Sequence, residues 1–389
     1  MLKFQNWYVA VWLSVLVLYG LGWSSFNTPL DLILLVFFVA TILLATIFSK
    51  LSGHTPTRRL IYCKRRRPII TVLIALGFIA DWTYRGAIPI TQPYTGANGT
   101  NVISEAVGIP VIHVILISVS IFYSMYLGYL FLSDNKKHYL IELLLMCLTL
   151  LLNNSRGYIV FILIVLMLLF CAFNFKDIVN IKLHNIIIVI VSIVLIAVFV
   201  SIMGNIRSGY QWNDCSYIEM LGSFNNYPSF LPKDFMWAYS YATSPLANLN
   251  YNICSGNTAN DIGAFAANLL PASISKYYIA SLSVVPNHIV NYFNADTGFA
   301  AYYCSLGIAG MYLVFIIQFV LYGVIQYITD RHKVISTFSS AVFSFLVIVT
   351  IFYSPFYTVA VCGMPLCTLV ASFYLKRKAA NKQVIYKEI

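Results

Sequence analysis

Residues 186–204 read IIIVIVSIVLIAVFVSIMG, a run of 19 residues without one charged side chain. A bilayer's hydrocarbon core is about 30 Å thick, and a helix needs roughly 20 apolar residues to cross it. Asn205-Ile206-Arg207 closes the run with polar groups, so it reads as a membrane span. Working outward, similar runs occupy roughly 6–23, 30–49, 69–81, 107–132, 139–152 and 158–175 before it, and 298–328, 334–353 and 356–375 after it. The composition agrees, with 60% hydrophobic and 10% charged residues, against about 25% charged in a soluble domain. No water-soluble fold hides that much apolar side chain. The first run carries no small-residue cleavage site and a second follows at once, so it reads as a retained anchor and not a signal peptide.

Lys and Arg collect in cytoplasmic loops, which gives the orientation. With the N-terminus inside, only Arg85, Arg156, Arg207, Lys233 and Lys276 of the 24 Lys and Arg residues fall outside, leaving 19 inside. The expected organisation is an all-α polytopic membrane protein of about ten transmembrane helices. Residues 1–204 hold helices one to seven, 205–297 form a large exported loop, 298–375 hold helices eight to ten, and 376–389 are a cytoplasmic tail. Topology thus explains the net charge of +11. The basic run from Arg58 to Arg67 reads as a stop against translocation, with anionic lipid headgroups as the alternative ligand and no nucleic acid expected. The eight cysteines show no metal-ligand or CxxC spacing. Cys215 and Cys254 share the exported loop, either as a disulfide or as two free thiols.

The exported loop is too apolar and aromatic for a disordered linker. Helical stretches over Ala259–Leu270 and Ser273–Val284 are expected to lie on the membrane surface. Two spans are short: 69–81 and 139–152 have 13 and 14 residues, a rise of only about 20 Å each. Asp81–Gly86 and Asn153–Gly157 should therefore sit below the outer surface. Irregular polar backbone at that depth calls for a recess, although local thinning of the bilayer is an alternative.

Arg85, Arg156 and Arg207 stand at or just beyond helix ends, each with Gly one or two residues later. The guanidinium fork matches phosphate oxygens bidentately, so three together suit a diphosphate. Interfacial anchoring, or pairing with Asp81 and Glu105, is the plainer reading. Of six histidines only His288 is exported; its reference pKa lets it accept a proton from a sugar hydroxyl, unless it is merely solvated. His113, inside the fourth span, reads as a helix–helix hydrogen bonder. Asp296, beside Thr297 and Gly298, reads as the N-cap of the eighth span, with a base role as the alternative. No Asp-rich pattern suits Mg²⁺, so no metal and no cofactor are expected. Loop aromatics from Tyr210, Trp212 and Tyr217 to Trp237, Tyr239 and Tyr241, mixed with Asn225, Asn226, Asn248, Asn250 and Asn252, suit pyranose faces and hydroxyls. They equally suit interfacial anchoring.

At four places the chain resembles the O-antigen polymerases, the Wzy-type repeat-unit polymerases of Gram-negative bacteria. These are Tyr84-Arg85-Gly86-Ala87-Ile88-Pro89, Ser155-Arg156-Gly157-Tyr158, Gly204-Asn205-Ile206-Arg207, and the stretch from Asn294 through Thr297 to Gly307 and Gly310. The resemblance implies a GT-C-like inner-membrane glycosyltransferase. It would work on the periplasmic face, moving a glycan from undecaprenyl diphosphate to the sugar end of a carrier-linked repeat unit. Its partners would be the undecaprenyl-diphosphate-linked oligosaccharide, membrane lipid and a chain-length regulator protein. On this reading His288, Arg156 and Arg207 are catalytic, and Arg85, Tyr84, Asp81, Trp212 and Tyr239 bind substrate. The family's Arg-x10-Gly pattern does not carry over, because Gly222 lies too far from Arg207. An O-antigen ligase, acting on lipid A core, shares this logic. A flippase would want cations within the spans, whose middles have none here. A membrane acyltransferase would want a His beside a carboxylate, and His113 has no acidic neighbour in sequence.

Overall fold

The computed structural model describes residues 3–53, 58–63, 68–91, 108–109, 111–153, 156–174, 183–275, 277, 285–381 and 384–388. A helix stands at each apolar run: α1 (Phe4–Gly20), α2 (Leu32–Leu51), α3 (Ile69–Arg85), α4 (Ile112–Asp134), α5 (Lys137–Leu152), α6 (Arg156–Asn174) and α7 (Leu183–Arg207). The loop that follows carries α8 (Ser216–Leu221), α9 (Phe235–Cys254), α10 (Ile262–Asn268) and α11 (Ala272–Ser275). The chain then resumes with α12 (Ala300–His332), α13 (Ser336–Val349), α14 (Val359–Cys362) and α15 (Met364–Ala380). Among the described residues five helical stretches are long and apolar enough to cross a membrane: Leu32–Leu51, Ile112–Asp134, Gly157–Asn174, Ala300–His332 and Val359–Ala380. The protein is membrane-embedded and polytopic by that measure.

Among the described residues the departure from an all-helical chain is one antiparallel pair, β1 (Arg58–Cys63) with β2 (Val384–Glu388), in which Arg58 stands opposite Glu388. It joins the segment after α2 to the C-terminal tail at one end of the bundle. The core beneath is aromatic. Trp12 packs on Phe38 and Phe299 with ring centroids 4.5 and 5.6 Å apart, and Phe37 meets Phe299 at 5.0 Å. Each such pair contributes about 0.5–1.5 kcal/mol beyond area burial, and in lipid packing of this kind holds helices together. Phe299, the residue before α12, is thereby fixed against α1 and α2.

Three elements differ from expectation. α3 does not stop at Asp81 but continues to Arg85 and closes on Gly86, whose φ of 77° is the left-handed C-cap conformation. The Asp81–Arg85 backbone is therefore helical, not irregular, and Asp81 and Trp82 find partners beyond α3, in His113 and Asn153. The long loop also holds a helix that was not expected, α9, 20 residues carrying Pro245 and buried along Trp237, Leu246, Asn248, Asn250 and Asn252. α10 and α11 are shorter than the stretches expected there, and residues 278–284 lie outside the described residues. α12 breaks at Leu306–Gly307, where Gly307 takes φ 59° and ψ −148°. That conformation suits glycine alone. The loop after α9 mends the break: the amide of Ala259 donates to the Cys304 carbonyl (2.8 Å) and that of Asp261 to the Ser305 carbonyl (2.7 Å).

Candidate active site

Between α11 and α12 the chain from Val285 to Thr297 has no regular secondary structure. Backbone of that kind needs outside partners for its polar groups, and α9 with the turn after it provides them. Asn248 Nδ2 donates to the carbonyls of Phe293 (2.7 Å) and Ala295 (3.1 Å), while its Oδ1 accepts from the Ile289 amide (3.1 Å). Asn252 grips Asn287 at both ends, Nδ2 to the carbonyl (2.8 Å) and the amide to Oδ1 (2.9 Å). Asn257 Nδ2 holds the Val285 carbonyl (3.0 Å). Asn250, one helical face over, ties α9 to Thr28, Pro29 and Asp31. Asn248, Asn250 and Asn252 are buried, and these bonds take up their amides. They are staples for the strap and the α1–α2 turn, which corrects their reading as ligands for sugar hydroxyls.

The strap carries His288 and Asp296. His288 Nε2 lies 3.1 Å from Asp296 Oδ2, with side chains 25% and 26% exposed. Asp296 therefore partners the histidine and is not the cap of α12. Phe299 holds that N-cap position, and its amide meets Thr297 Oγ1 at 3.3 Å. The hydrogen bond to Asp296 raises the His288 pKa above its usual 6.5, against partial burial, which lowers it. With Nε2–H given to the carboxylate, Nδ1 is left as an acceptor. Asp296 Oδ1 is buried without a hydrogen-bond partner among the described residues.

The strap packs on its two sides against residues that in turn meet α6 and α7, the helices that carry Arg156 and Arg207. Gly298 donates its amide to the Thr350 carbonyl (2.6 Å), and a Cβ there would sit 2.8 Å from the Tyr353 carbonyl. Tyr353 meets Phe161 (6.3 Å), five residues into α6, which begins at Arg156. On the other side Phe293 and Val290 join a small core with Trp237, Cys215 and Ile218. Trp237 Nε1 donates to Asn205 Oδ1 (2.6 Å), two residues before Arg207 ends α7. A Cβ at Gly204 would strike that indole at 2.6 Å, so glycine permits the approach. The backbone is described at both arginines, while their side chains lie outside the described residues.

A second cluster joins the ends of α3 and α5. Asp81, buried, takes His113 Nδ1 on Oδ2 (2.7 Å) and the Ile109 amide on Oδ1 (2.7 Å). So His113 links α4 to α3 and does have an acidic neighbour, supplied by another helix. Trp82 Nε1 donates to Asn153 Oδ1 (3.0 Å), so the two short helices end side by side. Arg85 there is half-buried and Tyr84 exposed; Glu105 lies outside the described residues.

The aromatics of the long loop sort into two groups. Tyr239 is buried; its hydroxyl accepts from Trp23 N (3.1 Å) and Asn27 Nδ2 (2.5 Å), and Trp23 covers its ring at 4.9 Å. That is a packing position and offers no face to a sugar. Trp212 is 62% exposed, and near it Tyr210, Tyr217, Trp237 and Tyr241 follow one another at 5.2, 6.3 and 6.0 Å. Tyr292, on the strap itself and 60% exposed, joins Tyr217 edge-on at 6.3 Å. Sequence reasoning missed Tyr292, although its place between His288 and Asp296 was a signal. Cys215 and Cys254 are free thiols, the first buried and the second exposed. No protein-family model matches the chain, and no curated protein and no solved structure matches it either.

Proposed function

We propose that the protein is an O-antigen polymerase of the inner membrane. The ten helices at the apolar runs, α1 to α7 with α12, α13 and α15, would all span the bilayer, with both termini cytoplasmic and the strap on the periplasmic face. The observation that supports this reading is the His288–Asp296 pair on the strap, 3.1 Å apart with side chains 25% and 26% exposed. His288 Nδ1 takes the proton from the acceptor sugar's hydroxyl as that oxygen bonds to the donor's anomeric carbon. The bond from that carbon to the carrier breaks, and its electron pair leaves on undecaprenyl diphosphate. Arginine side chains stabilise the negative charge that grows on the leaving diphosphate. Exposed Trp212 and Tyr292 offer aromatic faces to the glycan.

The test is the lipopolysaccharide ladder of a strain lacking the gene, complemented with wild type, His288→Ala or Arg156→Ala. Deletion should leave core bearing a single repeat unit, and neither variant should restore the ladder at normal membrane levels. Loss of every O-antigen band, the single unit included, would replace this reading with a ligase or a flippase.

One observation favours a second reading. The His113–Asp81 pair, at 2.7 Å, supplies the His beside a buried carboxylate that a membrane acyltransferase wants. Mass analysis of the glycan separates the two. Loss of an acyl group in His113→Gln, with an intact ladder, would favour acyl transfer.

A further inference from the structure

At the end of the bundle remote from the strap, the start of α1, the end of α2 and the last turns of α12 enclose a cavity of about 580 Å3. Its walls bring three kinds of group together. Lys3 Nζ donates to the carbonyls of Ser49 (2.6 Å) and Ser52 (2.7 Å), capping α2; an ammonium has three N–H donors, so one is left over. Arg331 lies over the Tyr327 ring with its guanidinium carbon 4.8 Å from the centroid, which leaves its in-plane donors at the rim. Gln326 is 8% exposed, and its Oε1 is buried with no partner among the described residues, while its Nε2 donates to Asp330 Oδ1 (2.8 Å) and the Ser336 carbonyl (3.3 Å). α1 also opens on the cavity without a side-chain cap, so the positive end of its dipole faces this wall.

Among the described lining residues, Lys3 and Arg331 against Asp330 sum to +1. A site of that charge, holding both donors and an unfilled acceptor, fits one phosphodiester that carries a hydroxyl. The flanks indicate what lies behind the phosphate. Leu51, Val324 and Tyr327 are 76%, 53% and 56% exposed beside the mouth, continuing the apolar outer faces of α2 and α12. Gly323 lines the cavity, and a Cβ there would meet nothing within 4 Å.

We propose that this cavity holds the headgroup of an anionic glycerophospholipid of the phosphatidylglycerol type. Lys3 and Arg331 take the phosphodiester, a headgroup hydroxyl donates to Gln326 Oε1, and the acyl chains lie along α2 and α12. A zwitterionic headgroup would bring no net charge to a site of +1, and free phosphate would make no use of the apolar flanks. The inference stands apart from the reaction proposed above.

Native mass spectrometry of the purified full chain tests it, titrating dioleoyl-phosphatidylglycerol, dioleoyl-phosphatidylethanolamine and inorganic phosphate in turn. One phosphatidylglycerol should bind saturably per chain. Arg331→Gln, at an exposed position, should weaken it about fivefold, the value of one cation at a lipid surface. Gly323→Leu should fill the mouth and abolish saturable binding while the protein stays folded, because the wall there is open. Unchanged affinity in both variants, phosphatidylethanolamine binding as well as phosphatidylglycerol, or displacement of the lipid by phosphate alone would each overturn the proposal.

Discussion

His288 and Asp296 stand eight residues apart in sequence, but the strap between them is not helical, so their 3.1 Å approach is set by tertiary contacts. The pair gives two pH signatures of opposite sign. Because the hydrogen bond raises the folded-state pKa of His288, its contribution to stability is complete below the unfolded value of about 6.5 and is lost as pH rises through the folded one. Activity that needs a neutral imidazole appears over that same rise. In a membrane assay with carrier-linked repeat units, the rate should therefore climb through a midpoint above the ordinary histidine value. Asp296→Asn should move the midpoint toward acid and lower the maximal rate about a hundredfold or more. An unmoved midpoint would remove Asp296 from any such role. His288 was legible in the sequence as the one histidine expected on the exported side. Its partner was visible only as a polar residue before a glycine, which reads equally well as a helix cap.

Elements were legible in proportion to their hydrophobicity. The apolar runs announce helices because lipid demands them, whereas α9 hides its helicity behind Asn, Ser, Tyr and Pro245. Its polar residues are buried by protein and bonded to backbone, a circumstance that no periodicity in the sequence displays. α3 was read short for a related reason. Asp81 and Trp82 look like the end of an apolar run, yet His113 and Asn153 satisfy them and the helix continues. The staples on α9 can be separated by substitution. Asn252→Ala strips both partners from Asn287, and Asn250→Ala strips the α1–α2 turn; each should cost about 1–3 kcal/mol, read as an earlier unfolding transition in detergent. Only Asn252→Ala should also shift the pH midpoint of activity, because only it touches the strap that carries His288. At the break in α12, Gly307→Ala forces a side chain into φ 59° and ψ −148°. It should cost about 1–3 kcal/mol, and a wild-type unfolding transition in that variant would count against the break.

The bundle has two dissimilar ends. One carries the strap, the α6 start, the α7 end and the Asp81–His113 cluster; the other carries the β1–β2 pair, the phosphodiester cavity and the last turn of α15 with Arg377 and Lys378. The orientation proposed above assigns the second end to the cytoplasm, the side on which the positive-inside bias would place its cations. The assignment makes a prediction about thiols. Cys254, the last residue of α9, is exposed and belongs to the first end, since the adjoining residues Asn252 and Asn257 hold the strap. A membrane-impermeant maleimide added to intact cells made permeable only in their outer membrane should label Cys254. The signal should disappear in Cys254→Ser. In that background a cysteine replacing Lys378, near the end of α15, should stay unlabelled until the inner membrane is opened. Labelling of the Lys378 position from outside, with Cys254 protected, would invert the molecule. It would then put the His288–Asp296 pair on the face where nucleotide-activated sugars are available, and a carrier-linked donor would no longer be required.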